Sequence, residues 1–191
     1  MSFDCELVTT NLNSKNNSEN FFFLGSWCLN YETEKKINPK KVLEYHWNDK
    51  RKLIKDYDYL KRLHQKLLNT IYIRLNDHLK SNYKKIFWKI YLGPWLMYYI
   101  QTLYDRWETI NNFINKYGNN FVTAKFNYDE NDFINHTLNE FMYNLYSDEY
   151  NHIIFNKIIL YILEDEKIFY DYNLKIKPKK QSKKKSFKSI L

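Results

Sequence analysis

Apolar positions in this chain follow two rhythms, and the change from one to the other predicts the order of its elements. Glu6 to Thr10 (E-L-V-T-T) is short and β-prone, and Phe21 to Leu24 is a continuous apolar block closed by Gly25. Continuous rather than alternating apolarity suits strands covered on both faces, as in a parallel sheet. The Asn/Ser/Lys run from Asn11 to Asn20 reads as the loop between them. Lys41 to Trp47 and Phe121 to Phe126 are predicted as further strands. Gly25-Ser26-Trp27-Cys28 then forms the loop at the carboxyl end of the second strand, where open α/β sheets bind ligands.

From Asn48 or Asp49, a helix N-cap, the rhythm becomes helical. Leu53, Tyr57, Leu60, His64, Leu67, Ile71, Leu75 and His78 recur every three or four residues, which predicts one amphipathic helix of roughly eight turns with both histidines on its buried stripe. Lys84 to Leu92 predicts an aromatic helix. Gly93-Pro94 breaks it, and Pro94 suits the first turn of a second helix running to Lys116, with Gly118 as its stop. Such a corner calls for Gly93 if it needs positive φ or close packing. Asp129 to Tyr146 and Ser147 to Leu163 predict two more helices.

The pattern yields a predominantly helical α/β fold, with a few short parallel-type strands packed against long amphipathic helices. Ile86 to Tyr104 is nineteen largely apolar residues, long enough to raise a membrane span, but Lys89, Gln101 and the internal Gly-Pro favour burial in protein over interfacial membrane contact, and both over a span. With three glycines in all, neither a dinucleotide fingerprint nor a P-loop can be built.

Charge changes the picture at one end only. Eight of the 30 basic residues fall between Lys175 and Leu191 with no acid among them, so the rest of the chain is balanced, 22 basic against 22 acidic. The net charge of +8 is therefore a property of the tail and gives no support to nucleic-acid binding. The chain divides into one globular domain over residues 1–165 and a lysine-rich tail over 166–191, read as disordered and able to touch an anionic membrane. Cys5 and Cys28 form no C-x-x-C, and the first residues lack a secretory pattern, which points to reduced thiols in the cytoplasm. The aromatic share of 19% and four arginines against many lysines match an AT-rich genome.

Candidate chemistry gathers around the tryptophans. Trp88 to Trp107 reads W-K-I-Y-L-G-P-W-L-M-Y-Y-I-Q-T-L-Y-D-R-W, with Gln101 and Asp105 on one helical face. A buried carboxylate there needs partners or a ligand. Trp27, Trp47 and Trp95 can stack on the apolar face of a sugar ring, and Gly25 would let a ligand approach the backbone. His46 or Asp105 can act as a base on an acceptor hydroxyl, and Arg106 can hold a phosphate or carboxylate. The same residues also read as core tryptophans and ion-paired polar groups. No metal and no cofactor is called for.

Four segments in order carry a resemblance: L-V-T-T (Leu7 to Thr10), F-L-G-S-W-C (Phe23 to Cys28), Y-H-W-N-D-K-R-K-L (Tyr45 to Leu53), and the stretch from Trp88 to Trp107. A weaker match runs through Asn131 to Ile134 and Ser147 to His152 (S-D-E-Y-N-H). Together they resemble the amino-terminal part of a family of bacterial transferases of O-antigen and other surface-carbohydrate biosynthesis. Where that family has L-N-x-x-H, this chain has the shorter Leu75-Asn76-Asp77-His78. Members of that family are much longer, so the resemblance implies one lobe of a two-lobed transferase. That lobe would bind a sugar or glycan acceptor, with a nucleotide-sugar donor held by a carboxyl-terminal lobe. It would be cytoplasmic, with peripheral contact at the inner face of the membrane as an option. The alternative reading is a non-catalytic binding or scaffold module whose basic tail contacts anionic membrane or nucleic acid.

Overall fold

The computed structural model describes residues 4–13 and 20–177. In chain order the elements are β1 (Cys5–Val8), β2 (Phe21–Phe23), a short α1 (Tyr31–Glu34), α2 (Lys50–His78), α3 (Lys85–Tyr91), α4 (Gly93–Tyr117), β3 (Phe121–Asn127), α5 (Leu138–Asn144), α6 (Asp148–Leu163) and β4 (Phe169–Lys175). The four strands form one parallel sheet in the order β2-β1-β3-β4. The predicted class, α/β with helices predominating, is the observed one.

Continuous apolarity marked β1 and β2 because the sheet is covered. Leu7 and Val8 are buried, and they pack with Ile110 and Phe113 of α4 and with Phe155 and Ile159 of α6. Ala124 and Phe126 of β3 join Phe133, Ile153 and Ile176 in a second cluster. Successive strand residues face opposite sides, so Phe121 and Phe126 of one short strand serve two separate clusters.

Four expectations are corrected. Lys41 to Trp47 is no strand: Pro39–Lys41 and His46–Asn48 are single 3₁₀ turns, and the segment pairs with the sheet as an isolated Phe23–Val42 bridge. Asn38 accepts a hydrogen bond from the Lys40 backbone, and Pro39 follows it, so the chain curls where its β-prone composition suggested extension. The stretch from Asp129 is interrupted too. Asp129 caps a 3₁₀ turn (Glu130–Phe133), and Thr137 starts α5 afresh by accepting from Glu140 N.

The buried stripe of α2 is rotated from the predicted one. Asp56, Leu60 and Leu68 are buried, whereas Leu53, Tyr57 and His78 are exposed and His64 is half-buried. Finally, the folded body continues past residue 165. Glu166–Ile168 makes a turn, with Ile168 buried, and β4 pairs with β3, so 166 is too early a boundary. Of the lysine-rich tail, residues 178–191 lie outside the described residues.

The corner between α3 and α4 is present, with Leu92 closing one helix and opening the other and Pro94 in the first turn of α4. It does not require glycine. Gly93 lacks positive φ, and a Cβ there would meet nothing nearer than 3.9 Å. Gly118 does adopt φ 87° at the end of α4, as a helix stop requires. No helix among the described residues is long and apolar enough to cross a membrane.

Candidate functional site

At the carboxyl ends of β1 and β2 the chain leaves a cleft of about 620 Å³. Trp27, Tyr45, Asp105, Arg106, Asp148 and Asn151 line it. They come from four places in the sequence: the turn after β2, the loop before α2, the middle of α4 and the first turn of α6. The fold brings three of the predicted residues, Trp27, Asp105 and Arg106, to one surface.

Trp27 forms one wall. Its indole N–H donates to the Thr9 carbonyl at 3.1 Å, and its ring lies parallel to that of Phe155, with centroids 6.3 Å apart. The same ring explains Gly25. A Cβ at that position would lie 2.2 Å from a Trp27 ring carbon, so the glycine makes room for an indole rather than for a ligand. Its φ of 175° is ordinary extended backbone.

Asp105 is the hub of the polar side. His46 Nε2 lies 3.0 Å from its Oδ1, Arg106 binds its other oxygen, and the Tyr45 hydroxyl donates to it. Arg106 in turn donates to Asn151 Oδ1 through Nε at 3.1 Å and Nη2 at 2.8 Å. Asn151 Nδ2 donates to the carbonyls of Leu145 and Ser147, which fixes the guanidinium against the start of α6. Burial alone would raise the Asp105 pKa, but the His46 hydrogen bond, the Arg106 charge and the Tyr45 hydroxyl outweigh it and hold the carboxyl below its usual range. Burial, then the Asp105 charge, pushes the Tyr45 phenol up, so it remains a neutral donor.

His46 stands behind this cluster rather than in the cleft. Its Nε2 is committed to Asp105, and its Nδ1 is enclosed without a hydrogen-bond partner among the described residues. Trp47 donates to Asp56 at 3.0 Å in a second network, in which Lys52 Nζ bridges Asp56 at 2.8 Å and Glu108 at 2.6 Å. Burial opposes the Lys52 charge, yet the hydrogen bonds to Asp56 and Glu108 prevail and raise its pKa. His46, Asp56 and Glu108 are a group whose ligand atoms lie within 4.8 Å of one another, the spacing of a metal site. The Lys52 ammonium already bridges the two carboxylates there.

Trp95 packs on Tyr99 and Phe141 in the α2–α4 core, and Gln101 is half-buried on α4; neither lines the cleft. Sequence reasoning missed Tyr45, Asp148 and Asn151. Tyr45 and Asn151 are hidden because tyrosine and asparagine are abundant throughout this chain, and Asp148 because, behind Ser147, it reads as part of a helix cap.

A family model described as LIC12162 family transferase matches residues 5–191. The chain belongs to the LIC12162 family of transferases. Family membership covers the whole cleft and makes group transfer the relevant chemistry, without specifying donor or acceptor. No curated protein and no solved structure matches the chain with significance.

Proposed function

We propose that the cleft is the acceptor site of a glycosyl-type transferase of surface-carbohydrate biosynthesis. The observation that carries this reading is the pairing of a flat aromatic wall, Trp27, with a rigid polar cluster, Tyr45, Asp105, Arg106 and Asn151, across one cleft. A pyranose ring offers the complementary surface, an apolar C–H face and a rim of hydroxyls. Its hydroxyls would donate to Asp105 and to the Tyr45 oxygen and accept from Arg106. The resemblance described above supplies the setting, with a nucleotide-sugar donor presented by a second lobe.

Asp148 is the carboxylate assigned to the proton. Asp105 is held ionised by three donors, which makes it a weak base and a good anchor. In the transfer, the acceptor oxygen bonds to the anomeric carbon, its proton passes to Asp148, and the bond to the nucleotide diphosphate breaks with its electron pair. His46 is a positioning residue acting through Asp105.

The test is titration of the protein with monosaccharides and nucleotide sugars, read by isothermal calorimetry, followed by a transfer assay. Asp148→Asn is expected to retain acceptor binding and lose turnover, while Trp27→Leu loses binding. Acceptor binding that survives Trp27→Leu refutes the cleft. Carbohydrate binding without transfer from any sugar nucleotide, measured on a protein that carries both lobes, favours the non-catalytic binding module.

A further inference from the structure

We propose that α3 and the turn before it form a docking surface for an anionic lipid bilayer, separate from the cleft and from the lysine-rich tail. The sequence predicted burial for this stretch, yet its apolar residues face outward. Ile86, Phe87, Ile90 and Tyr91 of α3 are exposed, Ile90 by 72% and Tyr91 by 70%, as are Leu79 and Tyr83 before it. Lone exposed hydrophobic residues need no explanation, but here six lie within thirteen consecutive positions.

The patch is rigid. Tyr83, Phe87 and Tyr91 stack along one side of the helix, with centroids 4.4 and 5.9 Å apart. Trp88, on the buried side, donates its indole N–H to Asn76 Oδ1 at 3.0 Å. Ser81 Oγ and Tyr83 N donate to the same oxygen, and Asn76 Nδ2 donates to the Tyr83 carbonyl at 2.8 Å. One side chain at the end of α2 therefore fixes the angle at which α3 leaves it. Ordering has already been achieved before any partner arrives.

Charge decides which partner fits. Residues 79–91 include Lys80, Lys84, Lys85 and Lys89 and no acid. All four lysines are exposed. Lys85 and Lys89 also line a groove of about 480 Å³ between α2 and α3, together with His64, Gln65, Asn69 and Ile86. Cations and amide groups thus lie directly beside outward aliphatic and aromatic tips. A protein partner would have to bury these lysines against matching acids. A bilayer surface accepts the apolar tips in its interfacial layer and lipid phosphates in the groove, the pattern of interfacial helices.

The experiment is co-sedimentation of the full chain, tail included, with phosphatidylglycerol-containing and with pure phosphatidylcholine vesicles, at low and at high salt. Each lysine near such a surface contributes roughly fivefold in partition, so Lys85→Glu with Lys89→Glu is expected to weaken binding to anionic vesicles at least 25-fold although every tail lysine remains. Ile90→Ser with Tyr91→Ser changes only exposed side chains and is expected to leave the melting curve intact while abolishing the binding that persists at high salt. Wild-type binding by both double variants would assign all membrane contact to the tail and overturn the proposal. Equal binding to neutral vesicles would overturn it as well. So would a dimer that Ile90→Ser with Tyr91→Ser dissociates in a chain that binds no vesicles.

Discussion

His46 Nε2 and Asp105 Oδ1 meet at 3.0 Å across 59 residues of sequence, with both side chains almost wholly enclosed. This contact joins the loop before α2 to the middle of α4 and holds the carboxylate where Arg106 and Tyr45 also reach it. Asp105→Asn removes the charge on which all three donors converge and leaves Arg106 without its counter-ion. Breaking one partner out of a buried pair is expected to destabilise the fold by about 3 kcal/mol. Urea unfolding with an unchanged slope measures it. A loss under about 0.5 kcal/mol would show that the cluster does not brace the fold.

The stability of the fold is expected to fall with acidification in two windows that overlap only between about pH 4 and 3. His152, sealed between Thr9 and Asn156, has its pKa lowered by burial to about 3. Between about pH 6.5 and that value the unfolded chain takes up a proton that the folded chain refuses, so stability declines by roughly 1 kcal/mol for each unit of acidification. Asp105, depressed in the fold, adds its own loss only below about pH 4. His152→Gln should flatten the first window and leave the second. Denaturation midpoints at about pH 7, 6 and 5 decide the matter, and an unchanged slope in the variant would place the titration elsewhere.

Gly25→Ala should open the cleft from behind. The added methyl overlaps the Trp27 ring, which must swing outward and give up both its bond to Thr9 and its stacking on Phe155. Overpacking of this kind costs about 1 to 3 kcal/mol. Adding Trp27→Ala removes the obstruction, so the double variant should be no less stable than Trp27→Ala alone. Strict additivity in the double-mutant cycle would contradict the steric account.

At the α3–α4 corner the expected sensitivities are unequal. Gly93→Ala places its methyl in ordinary contact with His64 Nε2 and Lys89 Cγ, each 3.9 Å away, at the start of α4, and the less flexible unfolded chain is worth roughly 0.4 to 1 kcal/mol, so it should hold or raise the melting temperature. Asn76→Ala leaves the Trp88 indole and the Tyr83 backbone N–H without their acceptor and should destabilise by about 2 kcal/mol. The reverse order of melting temperatures would mean that the corner is governed by glycine after all.

Strands and long helices were legible where the apolar signal was local. β1, β2, β3 and the full length of α2 all follow from periodicity and caps. The stripe of α2 was misplaced because Asp56, a residue hydropathy puts outside, is drawn inward by Trp47 and Lys52. β4 went unread because F-Y-D-Y-N-L-K alternates polar residues with aromatics directly before the lysine run, and only β3 as a neighbour makes it a strand. In the site, the bulky and charged residues Trp27, Asp105 and Arg106 stood out. The roles of His46 and Gly25 depend on which side chain lies behind them, and no spacing rule contains that.

The sheet order also sets when the molecule can be completed during synthesis. β1 is made first but needs β3, more than a hundred residues later, and β3 needs β4 after it. The α2–α4 hairpin, closed through Leu68, Leu96 and Ile100, can form well before either pairing. A nascent chain stalled at residue 165 would hold finished helices beside an unpaired β3 edge carrying Ala124 and Phe126, a surface for chaperones or for another unfinished copy.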